Sequence, residues 1–206
     1  MEQIERYLPQ FLSQGSKEEL FRNLKDFPSN IDSRMYCDRS KAQAFVSQGD
    51  GLKELKFVSD WNTVSIKSAP AIILSNTCDI SMENKRNFPP FAVYCMLISF
   101  SKYLETLRSR GVDKNQVDAI AEDIRKQRTT NLFFLPKGQN LDEDKIALLD
   151  HAQSCPASVF QNTQSKLFSL SNYGFYMFLL KLSIHFTRIR DGLDRTDIDE
   201  KTGIVS

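Results

Sequence analysis

Four apolar residues, Ala71-Ile72-Ile73-Leu74, run directly into five small polar ones, Ser75-Asn76-Thr77-Cys78-Asp79. A short apolar run bounded by turn residues has the pattern of a buried strand. Its abrupt polar end is where such a strand delivers side chains to solvent, and function concentrates at such loop-borne ends. The rest of the chain has to supply neighbours for this strand. Its polar tip is the first place to look for a site.

Composition narrows the function classes. The chain has 206 residues with 27 basic and 26 acidic side chains, a net charge of +1. That balance argues against bulk electrostatic attachment to nucleic acid, although a local basic groove stays open. Fifteen Phe and six Tyr predict an aromatic core. The start, Met1-Glu2-Gln3-Ile4-Glu5, is polar and acidic where a secretory signal would be basic and then apolar. No apolar run approaches the roughly 18 residues that span a bilayer; the stretch 173–182 is interrupted by Lys181, with His185 and Arg188 beyond it. Cys37, Cys78, Cys95 and Cys155 are widely spaced with no CxxC pair, so neither a zinc site nor a redox pair is expected. These features predict a cytoplasmic protein with reduced thiols, no metal and no cofactor.

Periodicity divides the chain. Residues 1–42 read as an N-terminal helical appendage: Tyr7, Leu8, Phe11 and Leu12 share a face, and Ser16-Lys17-Glu18-Glu19 is a capping box opening a helix over 17–25. Residues 43–190 read as one domain. Short strands are expected at 44–46, 55–58, 62–67, 71–75 and 91–98, with turns at Gln48-Gly49-Asp50-Gly51 and Ser59-Asp60 and a polar loop over 76–90. The period then changes from two to 3.6 over 99–128, capped by Ser99 or Ser101 and by Asp113, a helical insertion. Strands return at 132–135, 146–149 and 166–170. A C-terminal helix capped by Asn172 follows, with Phe175, Phe178, Leu179, Leu182 and Phe186 facing inward. The charged stretch 191–206 reads as a flexible tail. Short strands with many turns suggest an α+β fold built on a small barrel.

Three stretches carry a family resemblance: Gln48-Gly49-Asp50, the strand 69–76, and Lys145-Ile146-Ala147-Leu148-Leu149-Asp150-His151. In order and character they resemble the MazF/PemK family of bacterial toxins, SH3-like barrels that include mRNA endoribonucleases. The resemblance implies an SH3-like barrel with the helical insertion and a C-terminal helix. It also implies a place in a toxin–antitoxin or phage-defence system, with an antitoxin-like protein, a defence-complex subunit, RNA or a second copy of the chain as partner. The family's ribonucleases carry an Arg just before the strand Pro. Here that position is Ala69, preceded by Ser68, and the nearest cation is Lys67 on the same side of the strand. Thr77 aligns with the family's loop Thr or Ser. A lysine lacks the guanidinium fork, so the resemblance implies a catalytically degenerate module that binds a protein or nucleic acid.

Two enzymatic alternatives remain at this stage. One is a sequence-specific endoribonuclease using Thr77 with Lys67 or Arg86. The other is a cysteine-dependent enzyme in which Cys78 is the nucleophile, Asp79 lies nearby and His151 is the better of two imidazole bases. The plainer reading makes Asn76, Thr77 and Asp79 caps of a strand end through side-chain to backbone hydrogen bonds. Gly49-Asp50-Gly51 reads as a turn more readily than a phosphate or metal site. Lys67, Asn76, Lys85 and Arg86 are the candidate nucleic-acid contacts, with Phe88 as a stacking ring.

Overall fold

The computed structural model describes residues 14–29, 31–38, 45–60, 62–160 and 166–187. The chain is α+β. Six strands, β1 (Gly51–Asp60), β2 (Ser65–Ile73), β3 (Phe91–Ser99), β4 (Leu132–Leu135), β5 (Lys145–Pro156) and β6 (Lys166–Phe168), form one sheet in the order β4-β5-β3-β2-β1-β6. Every pairing is antiparallel. Among the described residues five α-helices accompany it: α1 (Gln14–Lys25), the single turn α2 (Thr77–Ile80), α3 (Phe100–Ser109), α4 (Lys114–Arg125) and α5 (Asn172–Thr187). No helix among the described residues is long and apolar enough to cross a membrane.

The sheet does not close into the barrel expected from sequence. The strands that would have to meet, β1 and β5, already have other neighbours: β6 pairs with the start of β1 and β4 with the start of β5. The sheet curls nonetheless. Three strand spacings, about 14 Å, separate β1 from β5 in a flat sheet. Yet the Gln153 amide on β5 reaches Val58 of β1, accepting from its N–H at 2.9 Å and donating to its C=O at 3.0 Å. Tyr94 Oη, on β3, donates to Lys56 C=O. Two side chains thus bridge the seam where a ladder would seal a barrel. Gln127 treats the other edge alike: its amide takes both the N–H (3.1 Å) and the C=O (2.7 Å) of Phe134 on β4. Such caps remove the bare backbone rows that make edge strands prone to aggregate.

The anchor strand is the end of β2, not a separate strand. The expected break at Pro70 is absent because β1 accommodates it: the register slips between Leu52 and Leu55, so Lys53 and Glu54 oppose Pro70 alone. A bulge is where a strand tolerates a residue with no N–H. Residues 71–73 are buried on both faces, which explains the continuous apolar run. Ile72 joins one core with Cys95, Leu97, Phe133 and Phe168, and there α5 contributes Tyr173, Met177 and Phe178. Ala71 and Ile73 face the curled interior with Leu52, Leu55, Phe57, Tyr94 and Phe160. A third cluster seats α3 and α4 on β4 through Phe100, Leu104, Val117, Ile124 and Phe134.

Other expectations shift. In the segment before residue 43, Leu20, Met35 and Tyr36 are buried in the core they share with α5. The helix expected over 17–25 begins at Gln14, so Ser16 lies inside it and does not cap it. Phe45 and Val46 form no strand, and β5 continues through His151 to Pro156. Tyr7, Leu8, Phe11, Leu12, Ala44 and the stretch 191–206 lie outside the described residues. Ser99 and Asp113 cap α3 and α4 as expected, accepting from Lys102 and Asn115 N–H. Ser171, not Asn172, caps α5, its Oγ accepting from Gly174 N–H at 3.2 Å. The helix packs on the sheet face opposite the curled interior, so it does not plug an open barrel. Its buried face is Tyr173, Gly174, Met177, Phe178 and Lys181, while Phe186 is exposed.

Lys181 is the unexpected member of that face. Its Nζ donates to the C=O groups of Gln127 (2.6 Å) and Thr129 (2.5 Å), satisfying carbonyls just beyond the end of α4. Burial pushes its pKa down to about 8 from an ordinary 10.5. Between these values the unfolded chain holds the proton that the folded chain has lost. The unfolded state therefore binds more protons, and this group's contribution to stability grows as pH rises through the window. Urea unfolding of wild type and Lys181→Met from pH 7 to pH 10 checks this, the expected result being a wild-type advantage that increases with pH. A difference that stays flat or falls contradicts the assignment.

Candidate functional site

The structure brings two of the sequence's turn motifs together. Gly49, at φ +82°, lets the chain reverse before β1. The turn then locks onto the end of β2: Gly49 N–H donates to Ile73 C=O (2.9 Å) and Ile73 N–H to Asp50 C=O (3.0 Å). Gln48 adds two bonds, its N–H donating to Thr77 Oγ1 (3.0 Å) and its Nε2 to Leu74 C=O (2.7 Å). Asp50 is 2% exposed. Its Oδ2 accepts from Ser47 N–H (2.7 Å) and lies 2.6 Å from Lys166 Nζ, which also donates to Phe45 C=O. The Gly-Asp-Gly motif is therefore a turn whose carboxylate is buried in an ion pair.

The polar tip beyond β2 spends its groups internally. Asn76 Oδ1 caps α2 by accepting from Cys78 N–H at 2.9 Å. Asn84 Nδ2 and Arg86 Nη2 both donate to Cys78 C=O at 2.7 Å, folding the 81–90 loop back onto the turn. Arg86 stands 3.8 Å from Asp79. Cys78 is exposed, and neither imidazole hydrogen-bonds to it: His151 is an exposed residue of β5, and His185 packs edge-on against Phe186. Lys85 is exposed. Lys67 lies on the Leu55 and Phe57 side of β2, six residues or about 20 Å before the strand's end. Thr77, Cys78, Asp79, Asn76 and Arg86 thus form one cluster, and Lys67 stands apart from it along the strand.

Beside Thr77 opens a groove of about 930 Å³, bounded by α1, the Gln48–Asp50 turn, the end of β6 and the first turn of α5. Tyr36, Tyr173 and Phe175 supply aromatic wall, and Arg22, Cys37 and Ser169 also line it. Burial, and secondarily the Asp50 carboxylate, push the Cys37 thiol up, which keeps it protonated and unsuited to nucleophilic attack. Burial likewise raises Tyr173 to about 12. The Ser169 hydroxyl is buried and has no hydrogen-bond partner, the one such side-chain atom among the described residues. No three metal-ligating side chains come together among the described residues.

No protein-family model matches this chain, and comparison with curated proteins gives no significant match.

Sequence reasoning pointed to Thr77 and Asp50 separately but missed the groove they share. Lys166 and Ser169 fall in the strand expected over 166–170, where Leu167, Phe168 and Leu170 gave the signal, and Cys37 stood alone between Tyr36 and Asp38. The one available signal was the pairing of a Gly-Asp turn with an Asn-Thr turn, both of a kind that side chains crosslink.

Proposed function

We propose that this protein is a catalytically degenerate, toxin-like module that binds a protein partner in a toxin–antitoxin or phage-defence system. The observation that carries the reading is the fate of the polar tip. Thr77 Oγ1 accepts from Gln48 N–H, Arg86 is held by Cys78 C=O beside Asp79, and Lys67 lies far along the strand. A phosphoryl-transfer site needs a cation aimed at the developing charge. Here Arg86 is bonded inward, and among the described residues no second cation joins it in the cluster. The groove beside Thr77 favours a protein over a nucleic acid, because its lining among the described residues holds Arg22, Arg34 and Lys166 against Glu19, Asp38 and Asp50, three charges of each sign. A polyanion needs a basic excess.

Two measurements test this. Purified protein incubated with structured and unstructured RNA is expected to leave both intact, and Thr77→Ala to match wild type. Cleavage abolished by Thr77→Ala overturns the reading in favour of the ribonuclease. Co-expression with the products of the genes flanking its own is expected to give a complex stable through gel filtration, and failure of all of them to bind removes the proposed partner.

A further inference from the structure

Resting on the protein-binding reading, we infer that the segment Phe88-Pro89-Pro90-Phe91 is the surface that meets the partner, and that the partner receives it in a groove lined by aromatic side chains. Phe88 is 81% exposed, the most exposed large apolar side chain among the described residues, and Phe91 is 58% exposed. Pro89 between them is exposed as well. A lone exposed apolar residue is ordinary, whereas several gathered at one loop mark an interaction surface.

Covalent geometry decides the shape of the segment. Each proline ring holds φ at about −65°. Phe88 and Pro89 each precede a proline, which turns them away from the helical region towards extended backbone. Residues 88–90 therefore favour the polyproline II form, whose backbone makes no hydrogen bonds of its own. The carbonyls agree: among the described residues nothing donates to Phe88 or Pro89 C=O, while Pro90 C=O accepts from Ala157 N–H at 2.9 Å. The other end is held by Asn84 and Arg86, which both donate to Cys78 C=O. A projection fixed by two prolines and tied at both ends loses little conformational freedom on docking. It springs from the same Thr77–Ile80 turn that borders the groove, so the two surfaces are continuous.

The chemistry of the projection selects its receiver. Proline and phenyl rings stack on aromatic faces, and the open carbonyls need donors. Trp and Tyr supply a ring and an N–H or O–H in one side chain, the combination by which Pro-rich segments are read. A single-stranded nucleic acid also stacks on Phe rings, but it needs cations that track its backbone. Here Asp79 and Glu83 offset Lys85 and Arg86, and Arg86 is already bonded to Cys78 C=O.

The flanking-gene product that forms a complex with the chain supplies the probe, its affinity read by biolayer interferometry. Phe88→Ser and Pro89→Gly are each expected to weaken binding about tenfold, as for residues at the centre of an interface. Neither should move the melting temperature, because both side chains are exposed. Ile66→Ser, at a residue 60% exposed on β2, is expected to bind as wild type. A photoreactive benzophenone side chain at position 88 is expected to crosslink beside Trp, Tyr or Phe residues of the partner. Wild-type affinity in both loop variants overturns the inference while leaving the protein-binding reading in place; absence of any complex removes both. Binding lost only together with thermal stability, or lost equally in Ile66→Ser, overturns it too. So does a crosslink that maps to a partner segment without aromatic residues or to a second copy of the chain. Oligouridylate that binds wild type and not Phe88→Ser replaces it with a nucleic-acid stacking surface.

Discussion

Gly174→Ala is expected to destabilise the protein by about 3 kcal/mol, although alanine is the better helix former. Propensity alone favours alanine by about 1 kcal/mol in a helix interior. Packing reverses the sign. A Cβ at Gly174 would sit 2.2 Å from the Met35 C=O oxygen and 3.0 Å from the carbonyl carbon. That carbonyl cannot swing aside as a side chain would. It belongs to the 3-10 turn Ser33–Met35 and already accepts Ser171 N–H at 2.8 Å. Relief requires α5 to move off the turn, which separates Tyr173, Met177 and Phe178 from Leu20 and Met35 in their shared core. Gly15→Ala in α1 is the matched control, since nothing lies within 4 Å of its added Cβ. Urea unfolding should show Gly15→Ala neutral or stabilised and Gly174→Ala strongly destabilised. A stabilised Gly174→Ala would mean that the close approach of helix and turn does not exist in solution.

The same helix illustrates what could be read beforehand. Its existence was plain from ten nearly continuous apolar residues. Which face is buried was not, because a helix apolar all round carries no moment to orient it. Lys181, a member of the contact face, looked like an interruption, and Gly174, another member, has no side chain to mark it. Where the period changes, the reading held: β3 and α3 meet at Ser99, one of the two residues expected to cap the helix. Pro70 misled because a proline usually opens a strand, and only a bulge on the neighbouring strand lets it lie inside one.

Closure was the largest loss. A barrel and a curled open sheet have the same strands, turns and alternation. They differ in whether β1 and β5 share a ladder, and here the difference rests on the Gln153 side chain meeting a backbone 95 residues away in sequence. One glutamine leaves no periodic trace. The candidate site followed the same rule. Thr77 and Asp50 were each recognisable as turn residues, but their meeting depends on the β1–β2 register, with Gly51 opposite Ile72. Register follows from which side chains face the core across both strands, a long-range condition that local patterns do not express.

Asp50→Ala should bring a loss of about 3 kcal/mol, the range for removing one member of a buried ion pair. The carboxylate is 3% exposed and the Lys166 side chain 17% exposed, so solvent screens the pair little. Deleting Asp50 removes the carboxylate that both Lys166 Nζ and Ser47 N–H face. It also loosens the turn that clamps Ile73 and Thr77, so the groove should lose its shape along with the stability. The paired change Asp50→Leu with Lys166→Met separates these effects. Replacing both charges by apolar groups of similar size is often neutral. The double variant is therefore expected to regain most of the stability in chemical denaturation while binding of the protein partner stays weakened, because an apolar floor no longer holds the turn through Ser47. If Asp50→Ala alone costs less than about 1 kcal/mol, the scale of an exposed pair, the pair is not buried in solution. If the double variant binds the protein partner as tightly as wild type, the ion pair serves stability alone, and the groove owes its shape to the Gln48 bonds with Thr77 and Leu74.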